Sequence, residues 1–252
     1  MKASGFLGLV LLTIACSAAV EEGAGLNPVS LATQESALYV CGLSCPSGYH
    51  PISYQCNTSC GSCASGTPNQ TQCDANPTSG SFNQCGLSCP SGWYHDYAQC
   101  NTTCGPCDGS TPNEAQCQQV PTSGSFYKCG LSCPSGWYYD YAQCNTSCGS
   151  CDGSTPNEAQ CQQVPTSGSF YKCGLSCPSG WYYDYSQCNT SCGSCDGSTP
   201  NEAQCQQVPT SGNFYKCGLS CPSGWYYNYA QCNTACGPCN GSTPNEALCE
   251  KL

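Results

Sequence analysis

Residues 129–161 read CGLSCPSGWYYDYAQCNTSCGSCDGSTPNEAQC, a stretch whose six cysteines follow the spacing C-x3-C-x10-C-x3-C-x2-C-x9-C. An x11 segment leads on to Cys173, where the same spacing starts again. The frame begins five times, at Cys41, Cys85, Cys129, Cys173 and Cys217, with a constant step of 44 residues and no insertion or deletion. Its members are Cys41, Cys45, Cys56, Cys60, Cys63 and Cys73; Cys85, Cys89, Cys100, Cys104, Cys107 and Cys117; Cys129, Cys133, Cys144, Cys148, Cys151 and Cys161; Cys173, Cys177, Cys188, Cys192, Cys195 and Cys205; and Cys217, Cys221, Cys232, Cys236, Cys239 and Cys249. The one cysteine outside it, Cys16, lies in an N-terminal apolar stretch. A fixed period of this kind means a tandem array of small units. Cysteines at this density in a short unit mean a disulfide framework.

Each unit is near the size at which a hydrophobic core stops sufficing. The third offers Val120, Phe126, Leu131, Trp137 and a few tyrosines, with almost no aliphatic residues. Staples must therefore supply the stability, and a native disulfide in a small secreted domain is worth about 2–5 kcal/mol. The expected fold class is small disulfide-rich modules in tandem: five repeats with short hairpins and turns, one short helix each and little regular secondary structure. The expected boundaries are a signal peptide over 1–19, a flexible lead over 20–38, and repeats over 39–76, 77–120, 121–164, 165–208 and 209–252. Six cysteines allow fifteen pairings, and spacing does not choose among them.

Within a module, Cys133-Pro134-Ser135-Gly136 reads as a turn, since Pro fixes φ and Gly tolerates the left-handed region. Trp137-Tyr138-Tyr139-Asp140-Tyr141 is rich in β-formers and reads as a short strand. Thr155-Pro156-Asn157-Glu158 has the form of a capped helix start, which would run through Gln162 and end by Val164 because Pro165 follows. Pro165-Thr166-Ser167-Gly168 reads as a joint that lets neighbouring modules bend.

The N-terminus has Lys2, an apolar run from Phe6 to Ala15, small residues to Ala19, and acidic Glu21 and Glu22. This is the pattern of a secretory signal cleaved after Ala18 or Ala19. Secreted, extracellular placement follows, where disulfides persist. Six sequons fit that route: Asn57, Asn69, Asn101, Asn145, Asn189 and Asn240. Four of them directly follow a cysteine, so packing would hide those and leave Asn69 and Asn240 accessible. Fifteen acidic residues face five lysines, a net charge of −10. That balance repels phosphate backbones and excludes nucleic acid as a partner. It also lacks the basic faces that insertion into anionic membranes uses. An extracellular matrix polymer, a mineral or a polysaccharide such as chitin remains the expected partner.

Sites of chemistry are weakly represented. Cys104-Gly105-Pro106-Cys107 and Cys236-Gly237-Pro238-Cys239 match a thioredoxin active-site string, but without the βαβ surroundings that chemistry uses. They read as bridge corners. An oxidised chain favours disulfides over thiolate ligands, so neither a metal nor another cofactor is expected. His50 and His95, the two histidines, occupy different module positions, so no Ser-His-Asp set recurs, no catalytic residue is assigned and no enzyme is expected. Lys128, Lys172 and Lys216 precede a module's first cysteine, as the basic residue of a protease inhibitor often does. From Cys133-Pro134-Ser135-Gly136-Trp137 through Asp140 to Cys144 the module is similar to antistasin-type inhibitors, though the spacing then departs. That likeness spans about a dozen residues per copy and assigns no family; the lysine positions make a multi-module inhibitor or toxin-like binder the second reading. The Trp-Tyr runs are the recurring surface candidates, since flat rings with polar tips stack on sugars. Trp93, Trp137, Trp181, Trp225, Tyr141 and Tyr185 are the candidate glycan contacts. The leading expectation is a secreted structural protein of a shell, cuticle, egg coat, tube or adhesive.

Overall fold

The computed structural model describes residues 37–63, 67–108, 111–153, 155–196 and 198–252. The stretch expected to be a signal peptide, and the expected lead as far as residue 36, lie outside these residues.

All five modules repeat one design. In module three Gly136 takes a φ of 85°, which few side-chain-bearing residues tolerate. The Trp137 N–H then donates to the Pro134 carbonyl at 3.0 Å. The turn read from the sequence exists, closed from Pro134 to Trp137. It launches the strand Trp137–Gln143, flanked in sequence by the strands Ser125–Cys129 and Glu158–Gln163. The three form an antiparallel sheet in the order first, third, second, so Glu158–Gln163 is the centre. In module one the first strand is Leu38–Cys41, with Leu38 across from Cys73. The sheet thus begins one residue inside the segment read as the lead.

The helix lies elsewhere than the sequence suggests. Thr155–Glu158 does not start one. Glu158–Gln163 is held in a ladder on both sides, and the Asn157 amide donates to the Asn145 and Gly149 carbonyls, at 3.1 and 3.3 Å. Pairing with two strands outweighs a local capping signal. The short helix of each module is instead a single 3₁₀ turn, Thr146–Cys148 in module three. Asn145 caps it by accepting from the Ser147 N–H at 2.9 Å.

The second strand carries a bulge. Tyr139 sits across from Cys161 and Tyr141 from Gln160, leaving Asp140 as the extra residue. Ile52, Asp96, Asp184 and Asn228 are the extra residues of the other modules.

Of the fifteen pairings, one recurs throughout: first with fourth, second with sixth, third with fifth. In module three these are Cys129–Cys148, Cys133–Cys161 and Cys144–Cys151. The second–sixth bridge crosses from the Pro turn to the centre of the sheet, where Ala159 and Cys161 are fully buried. Leu131 contributes nothing to this core and is 39% exposed.

Much of the remaining apolar burial lies between modules. Phe126 lies 4.4 Å from the Tyr94 ring of the preceding module and edge-on to its own Trp137 at 4.9 Å. Tyr138, Phe170 and Trp181 repeat the sandwich, as do Tyr182, Phe214 and Trp225. His50 replaces the tyrosine at the first junction, 4.1 Å from Phe82. Such ring pairs contribute about 0.5–1.5 kcal/mol beyond their area. The Pro-Thr-Ser-Gly joints are therefore bridged by packed rings, and free bending there would separate them.

Candidate functional surface

What the modules display repeatedly is a row of polar and aromatic side chains across the sheet. Residues opposed on antiparallel strands share a face. Tyr127 and Tyr141 both stand opposite Gln160, one on either side. They are 43% and 36% exposed. Tyr171, Gln204 and Tyr185 form the same row in module four, and Tyr215, Leu248 and Tyr229 in module five. Modules one and two carry half of it: Tyr39 with Gln72 and Ser53, and Tyr97 with Gln116 and Asn83. Tyr141 and Tyr185, chosen from the sequence, belong to these rows. Tyr127 and Tyr171 were missed, since only the sheet order places them two strands away on the same face.

Trp93, Trp137, Trp181 and Trp225 lie elsewhere. Each indole packs against the phenylalanine of its junction, and Trp225 is only 6% exposed. The open aromatic faces belong to tyrosines.

Lys172 and Lys216 are each 8% exposed. Their ammonium groups donate to the Cys173 and Cys217 carbonyls at 2.5 and 2.6 Å, and lie 5.5 and 5.7 Å from the rings of Tyr139 and Tyr183. Burial holds both below the ordinary lysine pKa. Lys128 is similarly tied to Cys129, at 2.6 Å. These lysines are junction residues, and none stands out on a loop as an inhibitor's reactive residue does.

Beneath the surface modules two to five each have a buried amide–carboxylate cluster, around Glu114, Glu158, Glu202 and Glu246, and module one has Gln70 in the same place. Glu158, 5% exposed, accepts from Asn145 at 2.6 Å and from Gln143. The Asn145 N–H in turn donates to Asn157 at 2.8 Å. Asn57, Asn101, Asn145 and Asn189 are therefore structural caps as well as sequons. Asn69, read as accessible, is also engaged: its amide nitrogen donates to the Asn57 and Gly61 carbonyls, both at 3.1 Å. Asn240 differs. It is exposed, and its side-chain oxygen accepts from Ser242 and Thr243.

The Cys-Gly-Pro-Cys strings are divided between bridges. Cys104 bonds Cys85 and Cys107 bonds Cys100; Cys236 bonds Cys217 and Cys239 bonds Cys232. A thioredoxin-type string closes on itself, and these do not. Among the described residues there is no group of three His, Cys, Asp or Glu side chains able to hold a metal, and no helix long and apolar enough to cross a membrane.

Comparison with family models, curated proteins and solved structures finds no match to this chain.

A groove of about 910 Å³ opens between modules two and three, lined in part by Leu87, Trp93, Tyr94, Lys128 and Leu131. His95 lines it too, with its Nε2 buried and without a hydrogen-bond partner. Burial is the main cause that lowers the pKa of His95, and the nearby Lys128 ammonium adds to it.

Proposed function

We propose that this chain is a secreted structural protein of an extracellular matrix, such as a shell, cuticle, egg coat, tube or adhesive. The observation that carries the reading is the fifteen-disulfide array of near-identical modules joined by packed aromatics, with chemistry-bearing side chains used for structure. Small units with three covalent closures each resist unfolding and proteolysis, because cross-links restrict the unfolded chain. The density of disulfides fits an oxidising extracellular setting. No catalytic role is part of this reading.

The finer proposal concerns the partner. Tyrosine rows recurring along the array offer several weak ring contacts to one long polymer, and linked weak contacts multiply into avidity. A neutral polysaccharide such as chitin suits both the rings and the acidic surface. The protein should be retained on insoluble chitin, and Tyr127→Ala, Tyr141→Ala, Tyr171→Ala and Tyr185→Ala together should release it while Trp137→Ala, if folded, leaves ring contacts in place. Equal retention of the quadruple variant would refute the tyrosine surface. Stoichiometric inhibition of a serine protease, abolished by Lys128→Ala with its equivalents, would overturn the structural role itself.

A further inference from the structure

The junction face is buried four times between modules, and the same face recurs exposed on module five. Tyr138, Tyr139 and Asp140 are partly buried against module four, as Tyr182, Tyr183 and Asp184 are against module five. The corresponding Tyr226, Tyr227 and Asn228 are exposed, the tyrosines at 42% and 48%. Among the described residues the complementary face is open on module one. The first cysteine of modules three, four and five is at most 4% exposed, whereas Cys41 is exposed and Leu38, in the position of Phe126, is 37% exposed. Each open face ends in an edge strand, Trp225–Gln231 and Leu38–Cys41. Unpaired edges are templates for association unless they are charged or covered.

The residues that differ at these two faces differ in a matched way. Inside the array the charge of Glu202 acts on Asp140, and that of Glu246 on Asp184, so like charges oppose each other across the junction. The Asp position is Asn228 in module five, and the Glu position is Gln70 in module one. Inside the array a lysine is buried over a tyrosine, Lys172 on Tyr139. The position of that lysine is Val40 in module one, while module five keeps Tyr227. Each like-charge encounter or buried ammonium is thus replaced by a neutral residue on the face where it would count. The carboxylate lost from the edge is moved inward: Asn228 donates at 2.6 Å to Glu250 on the central strand, where modules three and four have Asp140 with Gln162 and Asp184 with Gln206.

We propose that module five of one copy docks on module one of a second copy, repeating the internal junction and building head-to-tail filaments. Tyr226 would rest on Leu38, Tyr227 on Val40, and Asn228 beside Gln70. The contact is heterologous, so it propagates rather than closing as a symmetric pair. One junction between small modules is at the low end of specific interfaces, so association should be weak.

Sedimentation velocity on the secreted chain, from about 10 μM to about 1 mM, tests this. The wild type should show a series of species that lengthens with concentration. Tyr226→Ala and Leu38→Asp each disable one face at an exposed position, and each alone should stay monomeric with fifteen disulfides intact by mass. Mixed in equal amounts they should form dimers and stop there, because each copy retains one working face. A wild type that is monomeric throughout overturns the proposal. So does a dimer abolished by one variant and untouched by the other, or a mixture that remains monomeric.

Discussion

Tyr138 and Phe170 lie ring to ring at 4.3 Å, and they belong to different modules. Phe170 is 8% exposed and touches its own Trp181 on the other side. The aromatic residues that a 44-residue unit cannot bury alone are thus buried by its neighbour. Stability in such an array is a sum of module terms and nearest-neighbour terms.

Phe170→Ala should consequently uncouple modules three and four without unfolding either. Loss of a buried phenylalanine costs about 3 kcal/mol or more, here drawn mainly from the junction. Limited proteolysis should show faster cutting within 165–168, with both flanking modules still resistant. Unchanged cutting would mean that the rings contribute nothing to the coupling.

The three bridges of a module should differ in worth. Cys144–Cys151 spans 7 residues and Cys133–Cys161 spans 28. The chain-entropy relation gives about 2.4 kcal/mol for the short loop and about 3.6 kcal/mol for the long one. Cys161 is also fully buried while Cys151 is not, which widens the gap. Denaturation of single modules with either pair changed to Ser should show the Cys133–Cys161 variant as the less stable by at least 1 kcal/mol or so.

The cluster around Glu158 supplies a third test. Module one has Gln70 at that place, accepting from Gln55 at 2.5 Å and Asn57 at 2.9 Å. Glu158→Gln preserves the acceptor and should be nearly neutral. Glu158→Ala strands the amides of Gln143 and Asn145 and should cost about 1–3 kcal/mol. Similar melting temperatures for the two variants would remove the cluster from the list of stabilising features.

The cysteine frame gave the module count, and the Pro-Ser-Gly turn and the Trp137 strand are local features visible in composition. Bridge pairing was not readable, because fifteen arrangements fit one spacing. Thr155–Glu158 misled for a physical reason: its residues satisfy helix-capping chemistry, but Asn157 and Glu158 serve Asn145, 12 and 13 positions away. Glu158–Gln163 is also too short for its period to contradict the cap. Tyr94 and Phe126 meet across a module boundary, so no pattern inside a repeat announces the junction. The sequons at Asn57, Asn101, Asn145 and Asn189 concealed the caps that position the 3₁₀ turns.

The first two junctions should weaken in acid. His50 packs on Phe82 and donates from its Nδ1 to the Asn76 side-chain oxygen at 3.1 Å, with Asp74 nearby; His95 feels the charges of both Lys128 and Asp96. Burial holds both below the ordinary histidine value of 6.5. A depressed folded pKa means that the unfolded chain takes up protons first, so the stability present above 6.5 is lost as pH falls through the folded values. Asp140 and Asp184 have the opposite sign, being raised by burial, and favour the later junctions once protonated. Hydrogen exchange at pH 7 and pH 5 should show protection falling in modules one to three more than in four and five. His50→Tyr with His95→Tyr restores the residues of the later repeats and should flatten the difference.

Glycan attachment should be confined to Asn240. The oligosaccharide is joined through the side-chain nitrogen, which Asn145 uses to bond buried Glu158 at 2.6 Å and Asn69 uses twice. A sugar on Asn145 would have to displace that donor from a half-buried site, and the cost would be repeated in every module so modified. Asn240 is exposed, and its side chain bonds through the oxygen, which accepts from Ser242 and Thr243. Site mapping of protein expressed through a secretory route should find one occupied sequon, and Asn240→Gln should abolish the glycan mass. Occupancy at Asn145 in folded protein with all three module-three bridges closed would show that the Asn145–Glu158 bond is dispensable.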